Sequence, residues 1–164
     1  MGLDISAYSR VFDKKYLLLE KLEDERELEN HEIYLYGNGH FSKHQDGIGE
    51  GVYSFKGDYF SFGAGSYGTY GEWRRELRSI VNGEMEDQDF YSNYHLFENT
   101  PFFELINFSD CEGFIGPKTS KKLYNDFAKH ENRFKGEDEY FLDKYEKWKE
   151  AFRLASNNGI VDFH

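Results

Sequence analysis

Apolar and polar residues alternate at several places along the chain, and each alternation predicts a strand with one buried face. The first alternation runs from Leu3 to Ser9, and a second places Ile33 and Leu35 opposite two tyrosines. The segment Ile160–His164 has the composition of a short edge strand. These patterns predict a small, mostly antiparallel sheet.

Two further strand-like segments, Val52–Lys56 and Tyr59–Ala64, are separated only by Gly57 and Asp58. Such a pair suits a two-residue turn, because glycine adopts a positive φ at no steric cost. The sequence therefore predicts that these two segments form a β-hairpin.

Three segments carry apolar residues at intervals of three and four, the spacing of an amphipathic helix. The first has Thr69 and Glu72 as a capping box and ends at Asn82-Gly83. The second begins at Gly116-Pro117 and extends to about Phe134. The third begins near Asp138, and its apolar face consists of Phe141, Tyr145, Trp148, Phe152 and Ala155. The whole chain, residues 1–164, is predicted to be a single α+β domain with about three main helices against the sheet.

Composition makes the predicted core aromatic. Only 38% of the 164 residues are hydrophobic, but 19% are aromatic, with 16 Phe and 13 Tyr. Each ring buries a large area at one position, and each tyrosine hydroxyl needs a polar neighbour. A chain of this length can bury a core, and its many tyrosines suit concave surfaces that are partly exposed to solvent.

Charge and targeting signals exclude several classes of partner. A net charge of −11 argues against nucleic acid or an anionic membrane surface, although it allows a small anion in a local basic pocket. No apolar run approaches the ~20 residues that cross a bilayer, and no basic segment precedes an apolar run at the N-terminus. Cys111 is the single cysteine, so no internal disulfide can form. We expect a reduced, cytoplasmic protein.

The segment Gly63–Gly68 reads GAGSYG and matches the pattern G-x-G-x-x-G. Its context does not suit a dinucleotide fold, because a long irregular segment follows the helix where a second parallel strand is required. The local chemistry still favours an anion. Glycines let backbone N–H groups approach a ligand closely, and the start of a helix presents unpaired donors and a positive dipole end.

Side chains around this stretch complete a candidate nucleotide site. Two tyrosines offer stacking faces or hydroxyl donors, and three arginines offer charge-assisted donors to phosphate. Arg74 and Arg78 share a helix face distinct from the apolar face of Trp73, and the start of the second helix adds another cation. The candidate ligand-binding residues are Gly65, Ser66, Tyr67, Tyr70, Arg74, Arg75, Arg78 and Lys118. The structural alternative is that the glycines only form a sharp strand-to-helix corner and that Arg75 pairs with Glu72 or Glu76.

Two other groups of residues are candidate chemical sites. His40 and His44, with Asp46 and Glu50, could ligate a metal, but a solvated loop is favoured. Cys111 could act as a nucleophile beside a histidine, yet packing is the commoner role of a single cysteine. The sequence therefore predicts no catalytic residue, no metal and no cofactor.

Four segments resemble a family of uncharacterised proteins of bacteria and tailed phages: MGLDISAYSR, FGAGSYGTYGEWRREL, FELINFSDCEGFIGP and NNGIVDFH. The resemblance runs in pieces over most of the chain, and it brings no assigned activity and no catalytic residues. It implies a setting in which small acidic proteins counter host defence, including sponges that capture a nucleotide-derived immune signal without cleaving it. Pockets of that class are aromatic, arginine-lined and frequently completed by a second subunit, so a homo-oligomer in the host cytoplasm is an expected form.

The function predicted from the sequence is the binding of a small anionic, nucleotide-like ligand without turnover. One alternative is a hydrolase or phosphodiesterase that uses Asp110, Glu112 and a histidine around Cys111. Another is an acidic interaction module whose surface, including Glu20–Glu29, mimics nucleic acid or captures a basic partner.

Overall fold

The computed structural model describes residues 2–13 and 31–164 and has an α+β architecture. Its strands are β1 (Gly2–Tyr8), β2 (Val11–Asp13), β3 (Glu32–Leu35), β4 (Gly51–Phe55), β5 (Tyr59–Ser66), β6 (Gly113–Ile115) and β7 (Ile160–Phe163). They form an antiparallel four-stranded sheet in the order β5-β1-β7-β6 and a three-stranded sheet in the order β2-β4-β3. The acidic stretch Glu20–Glu29 lies outside the described residues.

The helices are α1 (Tyr67–Asn82), α2 (Asp87–Ser92), α3 (Phe103–Ile106), α4 (Pro117–His130) and α5 (Glu139–Ala155). Short 3₁₀ helices span Gly39–Gln45, Tyr94–Leu96 and Glu131–Phe134. The three long helices α1, α4 and α5 confirm the predicted ones. The cap of α1 differs from the prediction, because Ser66 rather than Thr69 is the N-cap residue and accepts a hydrogen bond from the Thr69 N–H at 3.1 Å.

Aromatic rings fill the core between the main sheet and the long helices, as the composition predicts. All five residues predicted for the apolar face of α5 are buried. Trp148 is completely buried and lies against Tyr70, Trp73 and Phe163, with ring centroids 5.5–6.1 Å apart. This packing fixes α1 and α5 against the same face of the sheet.

The predicted hairpin between β4 and β5 is wrong, because these strands pair in different sheets. β5 pairs with β1 and β4 pairs with β2, so both chain segments change sheet at the same corner. Ser9 lies at that corner: its N–H donates to the Asp58 carbonyl at 3.0 Å, and its Oγ accepts from the Asp58 N–H at 2.8 Å. A Cβ on Gly57 would clash with the Ser9 backbone, so glycine is required there for close approach rather than for a turn.

The strand β7 is not an edge strand, contrary to the prediction. It lies between β1 and β6 and pairs antiparallel with both. Ile160, Val161 and Phe163 are all buried, because successive side chains contact the two opposite faces of the sheet. The outer face of the sheet is therefore apolar at the end near Ile160 and polar at the end near Asp162.

Candidate anion site on helix α1

The glycine-rich segment is a strand end and a helix cap rather than a loop. β5 continues to Ser66 and α1 begins at Tyr67, with no residue between them. The pairing with β1 shifts register between Leu3 and Asp4, where Gly65 and Gly63 are their partners and Ala64 is the extra residue. Gly65 has φ +115°, and a Cβ there would lie 2.5 Å from the Thr69 Oγ1. Gly63 and Gly65 therefore form part of a β-bulge and not the phosphate-binding loop that the sequence predicts.

The two candidate tyrosines have different environments. Tyr67 is 39% exposed at the start of α1, whereas Tyr70 is completely buried between Trp73 and Trp148. Burial is the main reason that the pKa of Tyr70 rises to about 12. A ligand on the surface can contact Tyr67, but the ring of Tyr70 is a core residue that supports Arg74, whose Cζ lies 4.4 Å from the ring centroid.

The three candidate arginines converge on one pocket. Arg74, Arg75 and Arg78 line a cavity of about 100 Å³ together with Gly71, Asp87, Tyr91 and Ile106. Among the described lining residues, three guanidinium groups face one carboxylate, and a second carboxylate, that of Asp110, lies 3.9 Å from Arg74 Nη2. In a chain of net charge −11, this pocket is a local region of positive charge.

Arg74 and Arg78 lie on a helix face distinct from that of Trp73, as predicted, but both are buried, with 8% and 2% of their surface exposed. Arg74 Nη1 donates to the Phe108 carbonyl at 2.7 Å, and Arg78 Nη2 donates to the Met85 carbonyl at 2.9 Å. Arg78 also lies over Phe90, with its Cζ 4.9 Å from the ring centroid. Within the described part of the chain, the buried Nε atoms of both arginines have no hydrogen-bond partner. These Nε atoms have almost no accessible surface, so each guanidinium is held rigidly and only its Nη groups can meet a ligand in the cavity.

Asp87, at the start of α2, bridges two of the arginines. Its Oδ2 lies 2.9 Å from Arg75 Nη2, and its Oδ1 lies 2.8 Å from Arg78 Nη2. Hydrogen bonding to Arg75 is the first cause that holds the pKa of Asp87 below its usual value. Asp87 is therefore a carboxylate that the two arginines already bind, and it is a weak base at neutral pH.

A larger groove of about 320 Å³ adjoins this pocket and shares Arg75 and Arg78 with it. Its other lining residues are Glu72, Glu76, Ser79, Glu84 and Met85. Burial, followed by a hydrogen bond with Glu137, raises the pKa of Glu76 to about 7. The groove thus offers many hydrogen-bond acceptors beside a pocket of donors.

The structure does not bring Lys118 into this site. Lys118 is exposed in the first turn of α4, where the Asp46 carboxylate already binds the helix start. Asp46 Oδ2 accepts from the Thr119 N–H at 2.8 Å, and Asp46 Oδ1 accepts from the Thr119 hydroxyl at 3.0 Å. The second anion anchor predicted from the sequence is therefore satisfied by a side chain of the protein itself.

The histidine segment and Cys111 do not form the chemical sites considered from the sequence. His44 is buried in a 3₁₀ helix rather than in a solvated loop, and burial lowers its pKa to about 4. Cys111 is exposed, and its Sγ lies 3.5 Å from the Ser109 Oγ. Among residues 2–13 and 31–164, no three His, Cys, Asp or Glu side chains are arranged to hold a metal ion.

Comparisons with protein-family models, curated proteins and solved structures give no match. In the described part of the chain, no helix has the length and apolar composition to cross a bilayer.

The sequence predicts that the three arginines share a site, but it does not predict the other residues of their pocket. Asp87 and Tyr91 lie in a polar segment with weak periodicity, and α2 is only six residues long. A signal was present in the acidic start of that segment, because carboxylates favour helix N-termini. Nothing in the local sequence indicates that Asp87 contacts a helix that ends five residues earlier.

Proposed function

We propose that this protein binds a small phosphate-bearing ligand in the arginine pocket of α1 and holds it without cleaving it. The observation that carries the proposal is the convergence of three guanidinium groups on one cavity, two of them held in place by backbone carbonyls. Rigid, partly desolvated guanidinium groups bind phosphate oxygens strongly, because their donors are already oriented.

The size and charge of the two adjoining cavities support a ligand with one anionic end. The pocket of about 100 Å³ suits a single oxyanion, whereas ligand sites typically measure about 300–1,000 Å³. The adjoining groove supplies the remaining volume. Its glutamates disfavour a second phosphate and favour amino or hydroxyl donors, as carried by a nucleobase or ribose.

The character of the pocket lining supports sequestration in preference to hydrolysis. Asp87 has a lowered pKa and two arginine contacts, so it is poorly suited to activate water. The resemblance to proteins of bacteria and tailed phages adds the setting: a cytoplasmic sponge for a nucleotide-derived immune signal. Hydrolysis of the ligand is the alternative that the ligand-recovery experiment below tests.

The binding test uses Arg75→Ala and Asp87→Asn with nucleoside monophosphates, and with inorganic phosphate as the minimal probe. Loss of a charge-assisted hydrogen bond costs about 1.5–3 kcal/mol, so Arg75→Ala should weaken affinity roughly 10- to 100-fold in calorimetric titration. Asp87→Asn should strengthen it, because the internal carboxylate no longer competes. Asp89→Asn is the matched control, since Asp89 is an exposed carboxylate of the same helix without an arginine contact.

Two outcomes would contradict the proposal. Unchanged affinity in a folded Arg75→Ala variant would remove the pocket from the site. Recovery of a cleaved product after incubation and heat release of the ligand would replace sequestration by catalysis.

A further inference from the structure

A second polar groove lies on the outer face of the main sheet, on the side opposite the aromatic core. It measures about 230 Å³ and is lined by Asp4, Ile5, Ser6, Tyr59, Ser61, Phe62, Gly63 and His164. The groove joins β1, β5 and the residue after β7, so it unites the first and last segments singled out in the sequence. None of its residues belongs to the arginine pocket.

Strand register places the polar side chains of this groove on one face. Asp4 is paired with Gly63, Ser6 with Ser61, and Tyr8 with Tyr59. Asp4 and His164 exchange both backbone hydrogen bonds, at 2.8 and 3.0 Å. Cross-strand partners carry their side chains on the same side of a sheet, so Asp4, Ser6, Ser61 and His164 are neighbours.

The groove contains a hydrogen-bonded pair and an unpaired carboxylate. Ser6 is 4% exposed, and its Oγ lies 2.9 Å from His164 Nε2. The exposed side chain of Asp4 has no ion pair or hydrogen bond with any described residue. Its Oδ1 would lie 3.6 Å from a Cβ on Gly63, so the missing side chain at position 63 leaves this carboxylate open from above.

The opposite end of the groove offers an aromatic ring. Tyr59 is 53% exposed and is supported from behind by Tyr8, with ring centroids 5.2 Å apart. Tyr59 is four residues from Gly63 on the same strand, which corresponds to about 13 Å at ~3.3 Å per residue. An anionic acceptor and a π face therefore lie at the two ends of an elongated groove that carries hydroxyl groups between them.

We propose that this groove binds a linear organic polycation, with one ammonium group on Asp4 and another over the ring of Tyr59. Carboxylates and aromatic faces are the two partners that attract organic ammonium groups. The hydroxyl of Ser61 supplies an acceptor for an amine in the middle of the chain. The described lining residues include no lysine or arginine, and the Lys144 amine beside the groove is held by the Gly63 carbonyl at 2.6 Å. This inference is independent of the function proposed for α1.

The test is a calorimetric titration with the triamine spermidine at about 150 mM salt, where charges more than about 8 Å apart are largely screened. We expect binding at one site. Asp4→Asn should weaken binding about tenfold or more, because it removes the carboxylate charge. It should not disturb the fold, because the Asp4 side chain is exposed and makes no hydrogen bond or ion pair with a described residue. Gly63→Val should also abolish or weaken binding by covering Asp4 while keeping its charge, and valine suits a strand.

Asp89→Asn is the matched control, because it changes the net charge equally at a remote exposed position and should leave the affinity unchanged. Nuclear magnetic resonance of the His164 ring provides a local readout, which spermidine should shift in the wild type and not in Gly63→Val. Equal affinity in the wild type, Asp4→Asn and Gly63→Val, with folding verified by circular dichroism, would overturn the proposal. The absence of saturable binding to the wild type would overturn it as well.

Discussion

At the scale of single residues, the arginines of α1 show how burial alters a role read from the sequence. Helical spacing correctly separates Arg74 and Arg78 from the apolar face of Trp73, but it cannot show that α2 and α3 cover them. Their guanidinium groups lie over aromatic rings and donate to backbone carbonyls, so they support the fold as well as a ligand. Arg75 is the one of the three whose side chain is half-exposed, which makes it the best probe of binding.

Glu76 supplies a prediction about pH at this scale. Its pKa is about 7 in the folded protein against 4.5 ordinarily, so its neutral form stabilises the fold fully below about pH 4.5. That stabilisation is lost as the pH rises through 7, because the folded state then bears an unfavourable carboxylate charge. Glu76→Gln should therefore raise the melting temperature at pH 8 more than at pH 5.

Glu72→Gln serves as the control for this measurement, because Glu72 is an exposed residue of the same helix. An equal rise in melting temperature at both pH values in Glu76→Gln would mean that Glu76 is ordinarily charged in the folded protein.

At the scale of elements, the glycine-rich segment has a structural role that its sequence pattern does not reveal. Gly65 lies in a β-bulge beside the cap of α1, whereas Gly71 lies within α1 with nothing within 4 Å of an added Cβ. The pattern predicted the helix and its end at Gly83 correctly. It could not distinguish a bulge from a phosphate-binding loop, because both need glycine for the same conformational freedom.

These two glycines give opposite predictions for the same substitution. Gly65→Ala should destabilise the protein by about 1–3 kcal/mol, because it combines an unfavourable positive φ with a clash against Thr69. Gly71→Ala should stabilise it by about 0.5–1 kcal/mol through better helix propensity. Urea denaturation measures both. A loss of similar size for the two variants would show that helix α1 is more crowded near Gly71 than its backbone indicates.

Elements with strong periodicity were predicted correctly, but the pairing of strands between them was not. α5 and its buried face follow directly from the apolar spacing, and β1, β3 and β4 follow from alternation. The hairpin failed because Gly57-Asp58 satisfies a turn pattern while contacting Ser9, a residue nearly fifty positions away. Local signals cannot contain such a long-range contact.

At the scale of the whole molecule, the main sheet depends on β7. Deletion of Ile160–His164 removes the strand that joins β1 to β6 and leaves Trp148 without its contact to Phe163. We expect this variant to lose cooperative unfolding and its near-ultraviolet circular dichroism. Deletion of His164 alone keeps β7 but removes two backbone hydrogen bonds to Asp4 and the contact to Ser6, so it should lower the melting temperature while unfolding stays cooperative. A deletion variant of Ile160–His164 with a native melting transition would show that the other strands close the sheet by themselves.

The position of β7 also has a consequence for synthesis in the cell. β1 ends at Tyr8 and its neighbour β7 begins at Ile160, so about 150 residues separate two strands that lie side by side. At about 5–20 residues per second, the ribosome makes that stretch in roughly 8–30 s. Throughout this interval one edge of β1 has no strand to pair with, although β5 can cover the other. An open edge of this kind can pair with other chains, so we expect aggregation to compete with folding until β7 has been made.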